Sequence, residues 1–470
     1  MPNSSDSAQS FMVDRLVIFG ATGDVVSRLF LPALVGLVQE STFPRNLSIT
    51  AIARKSWSTE QYHQHVRETF RKQGTDVESD QLEYLFSCIQ YAQVEDLSHI
   101  QRVQEALGSS PFVAYLALPP STFSMVLNTI KQIGIPQGSR IIFEKPFGEN
   151  FGSARTLNYQ AHQIFPEEQV FRIDHFLGKQ TVRNILGLRF GNRIFEPIWN
   201  QHHIENVEII WDETLALEGR VGYYDKAGAL KDMIQNHLLQ LMCLIGMEPP
   251  ISFNDRDFRD RKVDLLRAVR SLTPDEVKQQ TVRAQYDAGT INGKAIPAYK
   301  DEDGVDADRG TETYAEIKLW IDSWRWAGVP FVLRSGKALG KDRKEVLIHF
   351  KDVPYLAFGE SKEIQRNILR LQFSPDSLNL SLNLNGAGDP FQLNPAELKS
   401  QLAPQDTLPY GDLFLNVLAN DPILFIRADE VEELWRIIEP IQSGWEQDQV
   451  PLFSYPAGSL KPKDSFKESH

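Results

Sequence analysis

Cysteine is nearly absent from this chain, since Cys88 and Cys243 are the two found among 470 residues. Each lies in an apolar run, at 84–89 and 238–245. Two cysteines so placed build neither a disulfide framework nor a thiolate metal site. We therefore expect both to be reduced packing residues, and we expect no thiolate metal site.

Positive charge is in deficit as well. The chain has 49 Lys and Arg against 62 Asp and Glu, which gives a net charge of -13 at pH 7. Such a chain repels polyanions at long range, and no segment gathers enough Lys and Arg to reverse this, so we expect no nucleic-acid partner. An anionic small molecule can still bind where a few Lys, Arg and His converge in a pocket.

Long hydrophobic runs are the third absence. No apolar stretch approaches the roughly 20 residues that a membrane span needs. The first ten residues, MPNSSDSAQS, lack the basic start and the apolar run of a signal peptide. These features predict a cytoplasmic protein that does not associate with membranes.

The length of the chain predicts two domains, because single cores stop growing near about 250 to 300 residues. We place the first domain at 11–172 and the second at 173–455, with flexible tails at 1–10 and 456–470. In the first domain, short apolar strands at 16–19, 47–53, 112–118 and 141–143 alternate with amphipathic helical stretches. This pattern predicts an α/β fold with a Rossmann-like, doubly wound parallel sheet.

The pattern changes after Phe171 to one typical of an α+β domain. Alternating strands are predicted at 207–211, 312–319 and 346–350. A helix is predicted over 228–245, ended by Gly246, with one apolar stripe that includes His237. The segment 287–310 is rich in Gly, Asp and Lys and is predicted to be a surface loop.

The run RLVIFGATGDVV places Gly20 and Gly23 where the first strand turns into a helix. Glycines at such a turn let the backbone approach a pyrophosphate, and the first amides of the helix carry partial positive charge toward it. Because the third glycine of the usual dinucleotide fingerprint is missing, a plain tight connection is the alternative.

The end of the second predicted strand favours a nucleotide, and NADP in particular. Arg54 and Lys55 stand where an NAD site usually has an acidic residue. A guanidinium pairs with a 2′-phosphate in two places, whereas a carboxylate would repel it. A solvated basic turn is the alternative interpretation.

Two segments near the middle of the chain combine acids and bases. FEKPFG places Glu144 and Lys145 directly after an apolar strand, at the edge of a parallel sheet where ligands bind. FRIDHFLGK brings Asp174, His175 and Lys179 close along the chain, which suits a phosphate cradle with a carboxylate that orients an imidazole.

A third segment, LKDMIQNHLLQL, carries Asp232 and His237 on the predicted helix. An imidazole titrates close to neutral pH, so His237 can take a hydroxyl proton while hydride leaves the same carbon. An inward histidine is more often a satisfied core residue. Several Asp, His and Lys in apolar surroundings nevertheless indicate a shared site, because an isolated buried charge is costly.

These segments resemble the glucose-6-phosphate dehydrogenase family. RIDHFLGK is close to that family's RIDHYLGK, and FEKPFG, YLALPP and QNHLLQ match its other landmarks in order. NRIFEPIWN, GYYDKAGALKDMIQNHLLQ and WRWAGVPFVLRSGKAL extend the resemblance over most of the chain. It implies a nucleotide-binding domain followed by a larger α+β domain with a broad, mainly antiparallel sheet, and a homodimer or homotetramer formed through that sheet.

The resemblance also implies a reaction, the NADP-dependent oxidation of glucose 6-phosphate at C1 to the lactone. His237 would remove the proton of the anomeric hydroxyl, and Asp174 would orient the imidazole. Lys145 would contact both cofactor and sugar, and Glu213 and Asp232 would bind sugar hydroxyls. Lys337, His175 and Lys179 would hold the substrate. The residues that would contact NADP are Gly20, Ala21, Thr22, Gly23, Asp24, Val25 and Arg54, next to Lys55.

The sequence departs from the family pattern on the substrate side. Phe176 replaces the Tyr of the signature, which removes a hydroxyl donor, and Leu29 stands where many members have Lys. Five residues after Lys337, where a second basic ligand is usual, the chain has Asp342, with Lys341 and Arg343 on either side. A shift of one residue would restore the phosphate contact, and we name Arg343 for it. The C-terminal stretch lacks the Trp-Gly-Pro of many members, so no second NADP site is inferred.

These departures leave two alternatives open. The first is the same chemistry on another hexose, such as free glucose, an amino sugar or another anionic sugar. The second is an NADP-binding sensor without turnover. The joint presence of His237, Asp174 and Lys145 speaks against the sensor, since a binding module does not need a base paired with a carboxylate.

Overall fold

The structure is a computed structural model, and it describes residues 13–74, 78–217, 221–358, 364–386, 392–402 and 408–466. These residues divide into two compact units. The first contains the described residues up to Lys179 together with 252–259 and 408–432, and the second contains 180–251, 260–402 and 433–466. This division differs from the predicted one, because the boundary follows Lys179 and later segments return to the first unit.

One reason for the return of 408–432 is visible in its contacts. The buried guanidinium of Arg140 donates from Nη1 to the carbonyl oxygens of Val417 and Leu418, at 2.6 and 2.7 Å. The side chain of Asn158 donates to the carbonyl oxygen of Ala428 at 3.0 Å. Both donors would be left without these acceptors in a domain that ended at residue 172.

The first unit contains a parallel sheet in the order β3-β2-β1-β4-β5-β6. Its strands are β1 (Arg15–Phe19), β2 (Ser48–Ala53), β3 (Ile89–Gln93), β4 (Val113–Leu116), β5 (Arg140–Phe143) and β6 (Val170–Arg172). The predicted doubly wound sheet is confirmed, and so are the four predicted strands. The order reverses between β1 and β4, which is where such sheets bind their ligands.

The second unit contains a nine-stranded sheet in the order β16-β15-β14-β13-β7-β12-β11-β8-β17. Its strands are β7 (Ile204–Asp212), β8 (Thr281–Asp287), β11 (Tyr314–Trp320), β12 (Pro330–Gly336), β13 (Arg343–Phe350), β14 (Ile368–Phe373), β15 (Asp376–Asn385), β16 (Leu393–Gln401) and β17 (Leu452–Pro456). All neighbours are antiparallel except β7 with β12 and β8 with β17. The predicted broad, mainly antiparallel sheet is therefore confirmed.

Thirteen α-helices connect the strands within the described residues. They are α1 (Leu31–Gln39), α2 (Thr59–Gln73), α3 (Ser79–Ser87), α4 (Ile100–Leu107), α5 (Phe123–Ile133), α6 (Phe151–His162), α7 (Gln180–Phe190), α8 (Val221–Ala229), α9 (Leu239–Gly246), α10 (Asp255–Ala268), α11 (Pro274–Gln280), α12 (Pro409–Ala419) and α13 (Ala428–Glu446). Among the described residues, none of these helices is both long enough and apolar enough to cross a bilayer.

The predicted helix over 228–245 has a different start and a different geometry. Gly228, with φ 66° and ψ 177°, interrupts the helical conformation. A π-helical segment, Leu230–Leu238, then leads into α9. A positive φ is costly for any residue with a Cβ, so glycine permits this break. Gly246 is the last residue of α9 rather than a residue beyond its end, which corrects the prediction.

The carbonyl groups at the end of α9 are satisfied by side chains. Arg189 donates to the carbonyl oxygens of Leu244 and Met247, at 2.9 and 2.8 Å. The indole nitrogens of Trp199 and Trp326 donate to those of Ile245 and Gly246, at 2.8 and 2.7 Å. A helix leaves its last four carbonyls without intrahelical partners, and four consecutive carbonyls gain donors here. We call Arg189, Trp199 and Trp326 the C-terminal clasp.

The segment 287–310 was predicted to be a surface loop, but it also contains regular structure. It contains a hairpin of β9 (Gly289–Ile291) and β10 (Lys294–Ile296), turning at Asn292 and Gly293 with positive φ. Tyr299, fully buried, donates from its hydroxyl to Asp225 Oδ1 at 2.8 Å.

The predicted C-terminal tail is in part packed. The amide of Phe466 donates to Glu316 Oε2 at 3.0 Å, and Lys318 Nζ lies 4.5 Å from the centroid of the Phe466 ring. Part of the predicted tail, up to Phe466, therefore packs against β11, and its flexibility stays a prediction. The predicted tail at 1–10 and residues 467–470 lie outside the described residues.

Candidate functional site

The turn after β1 is shaped by its glycines. Gly20 has φ +83°, and a Cβ on it would lie 2.3 Å from the carbonyl oxygen of Ala117, which follows β4. The amides of Gly20 and Ala21 donate to the carbonyl oxygen of Ile52 at 3.0 and 2.9 Å. Glycine is thus required here, and the turn sits at the point where strand order reverses, which fits the pyrophosphate of a dinucleotide.

The other predicted cofactor residues follow from this turn. Thr22, Gly23, Asp24 and Val25 run from the turn into the helical segment Val26–Phe30, with Asp24 exposed. Arg54 and Lys55 are exposed at the end of β2, two and three residues beyond Ile52. Lys55 Nζ lies 4.3 Å from the centroid of the Trp57 ring. The structure therefore places Arg54 and Lys55 just beyond the end of the strand to which the glycine turn is bonded.

Lys145 follows β5, next to a buried carboxyl group. Glu144 is 7% exposed and accepts hydrogen bonds from the hydroxyls of Tyr115, at 2.6 Å, and Tyr410, at 3.3 Å. Burial raises the pKa of Glu144 from 4.5 to about 7, although the two hydroxyl donors and Lys145 oppose that shift. Glu144 is therefore a carboxyl group that is half-protonated near neutral pH.

The segment after β6 forms a chain of tight turns that gathers the predicted phosphate ligands. The amide of Phe176 donates to Asp174 Oδ1 at 3.0 Å, and the amide of Lys179 donates to the carbonyl oxygen of Phe176 at 3.0 Å. Lys179 Nζ lies 4.4 Å from the Phe176 ring centroid, and the His175 ring stacks on Tyr410 at 6.0 Å. Phe176, 5% exposed, thus holds Lys179 over its face.

Within the second unit, Glu213 and Lys337 meet at the ends of the neighbouring parallel strands β7 and β12. Lys337 Nζ lies 2.8 Å from Glu213 Oε2, and Lys344 Nζ lies 3.7 Å from Glu213 Oε1. Burial favours a neutral Glu213, but the two lysines outweigh it and lower the pKa of this carboxyl, while Asp232 works against them. The lysines thus keep Glu213 an anionic acceptor.

The two residues at the predicted shift after Lys337, Asp342 and Arg343, form hydrogen bonds with other residues of the protein. Asp342 Oδ1 accepts the amide of Thr214 at 2.8 Å, and Arg343 Nε donates to Glu345 Oε1 at 2.9 Å. Lys344, which the sequence analysis did not single out, reaches Glu213 in addition to Lys337. Successive side chains of a strand point to opposite faces, so Arg343 and Lys344 of β13 lie on different faces. This alternation is the sequence signal that could have identified Lys344.

Asp232 and His237 both lie in the π-helical segment Leu230–Leu238. A π-helix closes its hydrogen bonds between residues five apart, which is the spacing of Asp232 and His237. The angle between these two positions around the helix axis is therefore smaller than in the predicted α-helix, which has about 3.6 residues per turn. The imidazole is 1% exposed and its neighbours along the segment are buried. Single π turns often occur at functional sites.

Comparisons with known proteins cover both units. Residues 17–184 match the family model described as glucose-6-phosphate dehydrogenase, NAD binding domain, and residues 186–468 match its C-terminal domain. The glucose-6-phosphate 1-dehydrogenase of Bacillus subtilis (strain 168) is 37% identical over 465 residues, which is 96% of this chain and 95% of that protein. The chain belongs to the glucose-6-phosphate dehydrogenase family.

Other members of this family resemble the chain over a similar share of their length. The enzyme of Gluconobacter oxydans (strain 621H) is 38% identical over 96% of this chain and 94% of that protein. A structure described as glucose-6-phosphate dehydrogenase in complex with its substrate glucose-6-phosphate has a TM-score of 0.86 and 30% identity, over 97% of this chain and 96% of that one. The first unit of the present chain therefore contains a dinucleotide-binding domain.

The family motifs gain physical roles that the sequence analysis did not find. NRIFEPIWN supplies Trp199, and WRWAGVPF supplies Trp326, both of which bond the end of α9. Tyr115 and Tyr410 hold the glutamate of FEKPFG. Tyr115 lies inside the predicted apolar strand and Tyr410 is far along the chain, so neither had a local signal.

Proposed function

We propose that this chain catalyses the NADP-dependent oxidation of glucose 6-phosphate at C1 to 6-phospho-D-glucono-1,5-lactone. The observation that carries the proposal is the π-helical segment, which contains both Asp232 and the buried His237, in a chain whose residues 17–184 and 186–468 match the two domains of the family. Bound NADP would supply the hydride acceptor. The chain's own residues have to hold the sugar, take one proton and keep the reacting atoms together.

His237 is proposed to be the general base. As the C1–H bond breaks and its electron pair leaves as hydride, the anomeric hydroxyl becomes a carbonyl and loses its proton to the imidazole. Asp174 is proposed to orient the imidazole and to stabilise its protonated form, as the family resemblance implies. The buried, bonded carboxyl of Asp174 suits that role, because its Oδ1 is fixed by the amide of Phe176.

The substrate is proposed to be held by two sets of side chains. Glu213 and Asp232 accept sugar hydroxyls, and Lys337 donates to the sugar beside Glu213. Lys145, His175 and Lys179 come from the first unit, the last two for the phosphate. Lys344 is added to the predicted set, because it contacts Glu213, whereas Arg343 is engaged by Glu345.

NADP rather than NAD is the proposed cofactor. The turn from Gly20 to Val25 would hold the pyrophosphate at the amide end of a helix. Arg54 would pair with the 2′-phosphate, supported by Lys55, and both side chains are exposed at the end of β2. We also propose a cytoplasmic homodimer or homotetramer that assembles through the nine-stranded sheet.

One alternative has an observation in its favour. Phe176 offers no hydroxyl to a phosphate, and its ring contacts Lys179 instead. The same chemistry on a sugar without the 6-phosphate, such as free glucose, is therefore the second candidate. It requires that the phosphate gives no gain in turnover.

The test of the proposed base is His237→Asn, which nearly fills the same volume and removes proton transfer. We expect this variant to fold and to bind NADP and sugar with little change, while kcat falls by about 10² to 10⁴. Ligand binding is measured by calorimetry and kcat by NADPH absorbance. A variant that keeps its kcat contradicts the assignment of His237.

A further inference from the structure

Glu312 holds the beginning of the π-helical segment with both its backbone and its side chain. Its carbonyl oxygen accepts the amide of Ala229 at 3.2 Å, and its Oε1 accepts the amide of Leu230 at 3.0 Å. These two amides are consecutive, and they begin the segment that continues to Asp232 and His237. One residue thus fixes the direction in which this segment starts.

Gly228 makes room for that carboxyl group. A Cβ on Gly228 would lie 2.2 Å from Glu312 Oε1 and 2.6 Å from Oε2, closer than any two such atoms can come. Its positive φ also turns the chain so that the amides of Ala229 and Leu230 face Glu312. The glycine and the glutamate are therefore two parts of one structure.

The chemistry of this contact suits a helix start. The first amides of a helix have no intrahelical acceptors, and a carboxyl oxygen of Glu312 supplies one here. The other end is held by the C-terminal clasp, whose donors bond the last carbonyls of α9. The stretch from 229 to 246 is therefore bonded at both ends by groups outside it.

We propose that Glu312 is a positioning residue, which sets the helical register of the π segment and so fixes the position of His237 for the reaction. This inference rests on the proposed function, since it gives His237 a task. Glu312 needs only an acceptor oxygen at the Leu230 amide to do this. Without that acceptor, the segment can relax toward α-helical bonding, which would turn residues five apart onto different faces.

The experiment compares Glu312→Ala, Glu312→Gln and Glu312→Asp in the full chain with glucose 6-phosphate and NADP. Glu312→Gln keeps an acceptor of the same reach, and we expect it to retain kcat within about threefold of the unmodified protein. Glu312→Ala removes the acceptor and Glu312→Asp withdraws it by one methylene. We expect kcat to fall by about 10- to 100-fold in both, because small misplacements of reacting groups cost this much.

A split between parameters separates positioning from stability. The Michaelis constant for NADP should not change, because its proposed ligands lie in the first unit. Glu316→Ala is the matched control, since Glu316 is a buried residue whose carboxyl group likewise accepts a backbone amide, that of Phe466. It should lower the unfolding midpoint without lowering kcat per folded molecule.

Two outcomes overturn the inference. One is a kcat in Glu312→Ala equal to that of Glu316→Ala, and the other is a Glu312→Gln variant as slow as Glu312→Ala. If Glu312→Ala does not fold, Glu312→Asp and Glu312→Gln give the same contrast. Failure of the proposed function shows separately, as an unmodified protein without NADPH formation or a His237→Asn variant that keeps its rate.

Discussion

Glu144 illustrates how much chemistry one buried side chain carries. Its carboxyl group accepts two tyrosine hydroxyls and lies next to Lys145, the residue proposed to contact both ligands. Burial is the largest influence on its pKa and moves it from 4.5 to about 7. In the folded state this group therefore binds a proton more tightly than in the unfolded state.

That difference predicts a pH dependence of stability. The folded state holds the extra proton between pH 4.5 and about 7, so the stability from Glu144 is fully present below pH 4.5 and is lost as pH rises to about 7. We expect Glu144→Gln to remove this slope. Urea unfolding of both proteins at several pH values from 4.5 to 8 measures it, and parallel stability curves would contradict the shift.

Arg54 decides the cofactor in the proposed function. A hydrogen bond to a charged group is worth about 1.5–3 kcal/mol, so Arg54→Ala should raise the Michaelis constant for NADP by about 10- to 100-fold. The constant for NAD, which has no 2′-phosphate, should change little. Initial rates with both cofactors measure this, with the exposed Arg71→Ala as control. Equal losses with NAD and NADP would argue that Arg54 does not meet the phosphate.

At the scale of the element, the helical stretch 229–246 depends on donors from distant parts of the chain. The indole of Trp199 is fully buried, and its N–H donates to the carbonyl oxygen of Ile245. Leaving a buried carbonyl without its donor costs about 1–3 kcal/mol. The clasp is thus a measurable part of the stability of the second unit.

Trp199→Phe tests this contribution, because phenylalanine keeps most of the ring and removes the N–H. We expect the free energy of unfolding to fall by about 1–3 kcal/mol in denaturant titrations. Trp324→Phe is the matched control, since Trp324 is 96% exposed and surface changes cost within about 0.5 kcal/mol. A loss of similar size in both variants would refute the role of the clasp.

The elements also show what the sequence can predict. Strands β1, β2, β4 and β5 were predictable because they are continuous apolar runs. β3 was not, since after Ile89 its residues are partly exposed at the edge of the sheet. The π geometry of Leu230–Leu238 escaped as well, because it depends on Gly228 and Glu312 rather than on periodicity. By contrast, the hairpin at Asn292-Gly293 was predictable, because Asn-Gly is a common turn sequence of β-hairpins. The sequence analysis missed it because it considered only the composition of 287–310.

The candidate site divides in the same way. Its acids, bases and glycines were predictable from motifs, because those residue types stand out in apolar surroundings. The residues that support them were not, since Tyr410 and Glu312 meet their partners only after folding. Lys344 was missed because a straight comparison stops at Asp342, whose carboxylate instead accepts the amide of Thr214.

At the scale of the whole molecule, each unit carries its own part of the proposed site. The first unit carries the glycine turn, Arg54 and the turn from Asp174 to Lys179. The second carries Glu213, Lys337 and the π segment. Residues 17–184 and 186–468 match the two domains of one dehydrogenase family, and both ranges supply residues to the proposed reaction.

Steady-state NADPH formation by the purified full chain tests the central claim most directly, comparing glucose 6-phosphate with free glucose and NADP with NAD. We predict rapid turnover with glucose 6-phosphate and NADP, and a kcat/KM at least about 100-fold lower for free glucose, since free glucose lacks the phosphate and the several charged hydrogen bonds that it accepts. Equal kcat/KM values for the two sugars, or no turnover with either, would contradict the account.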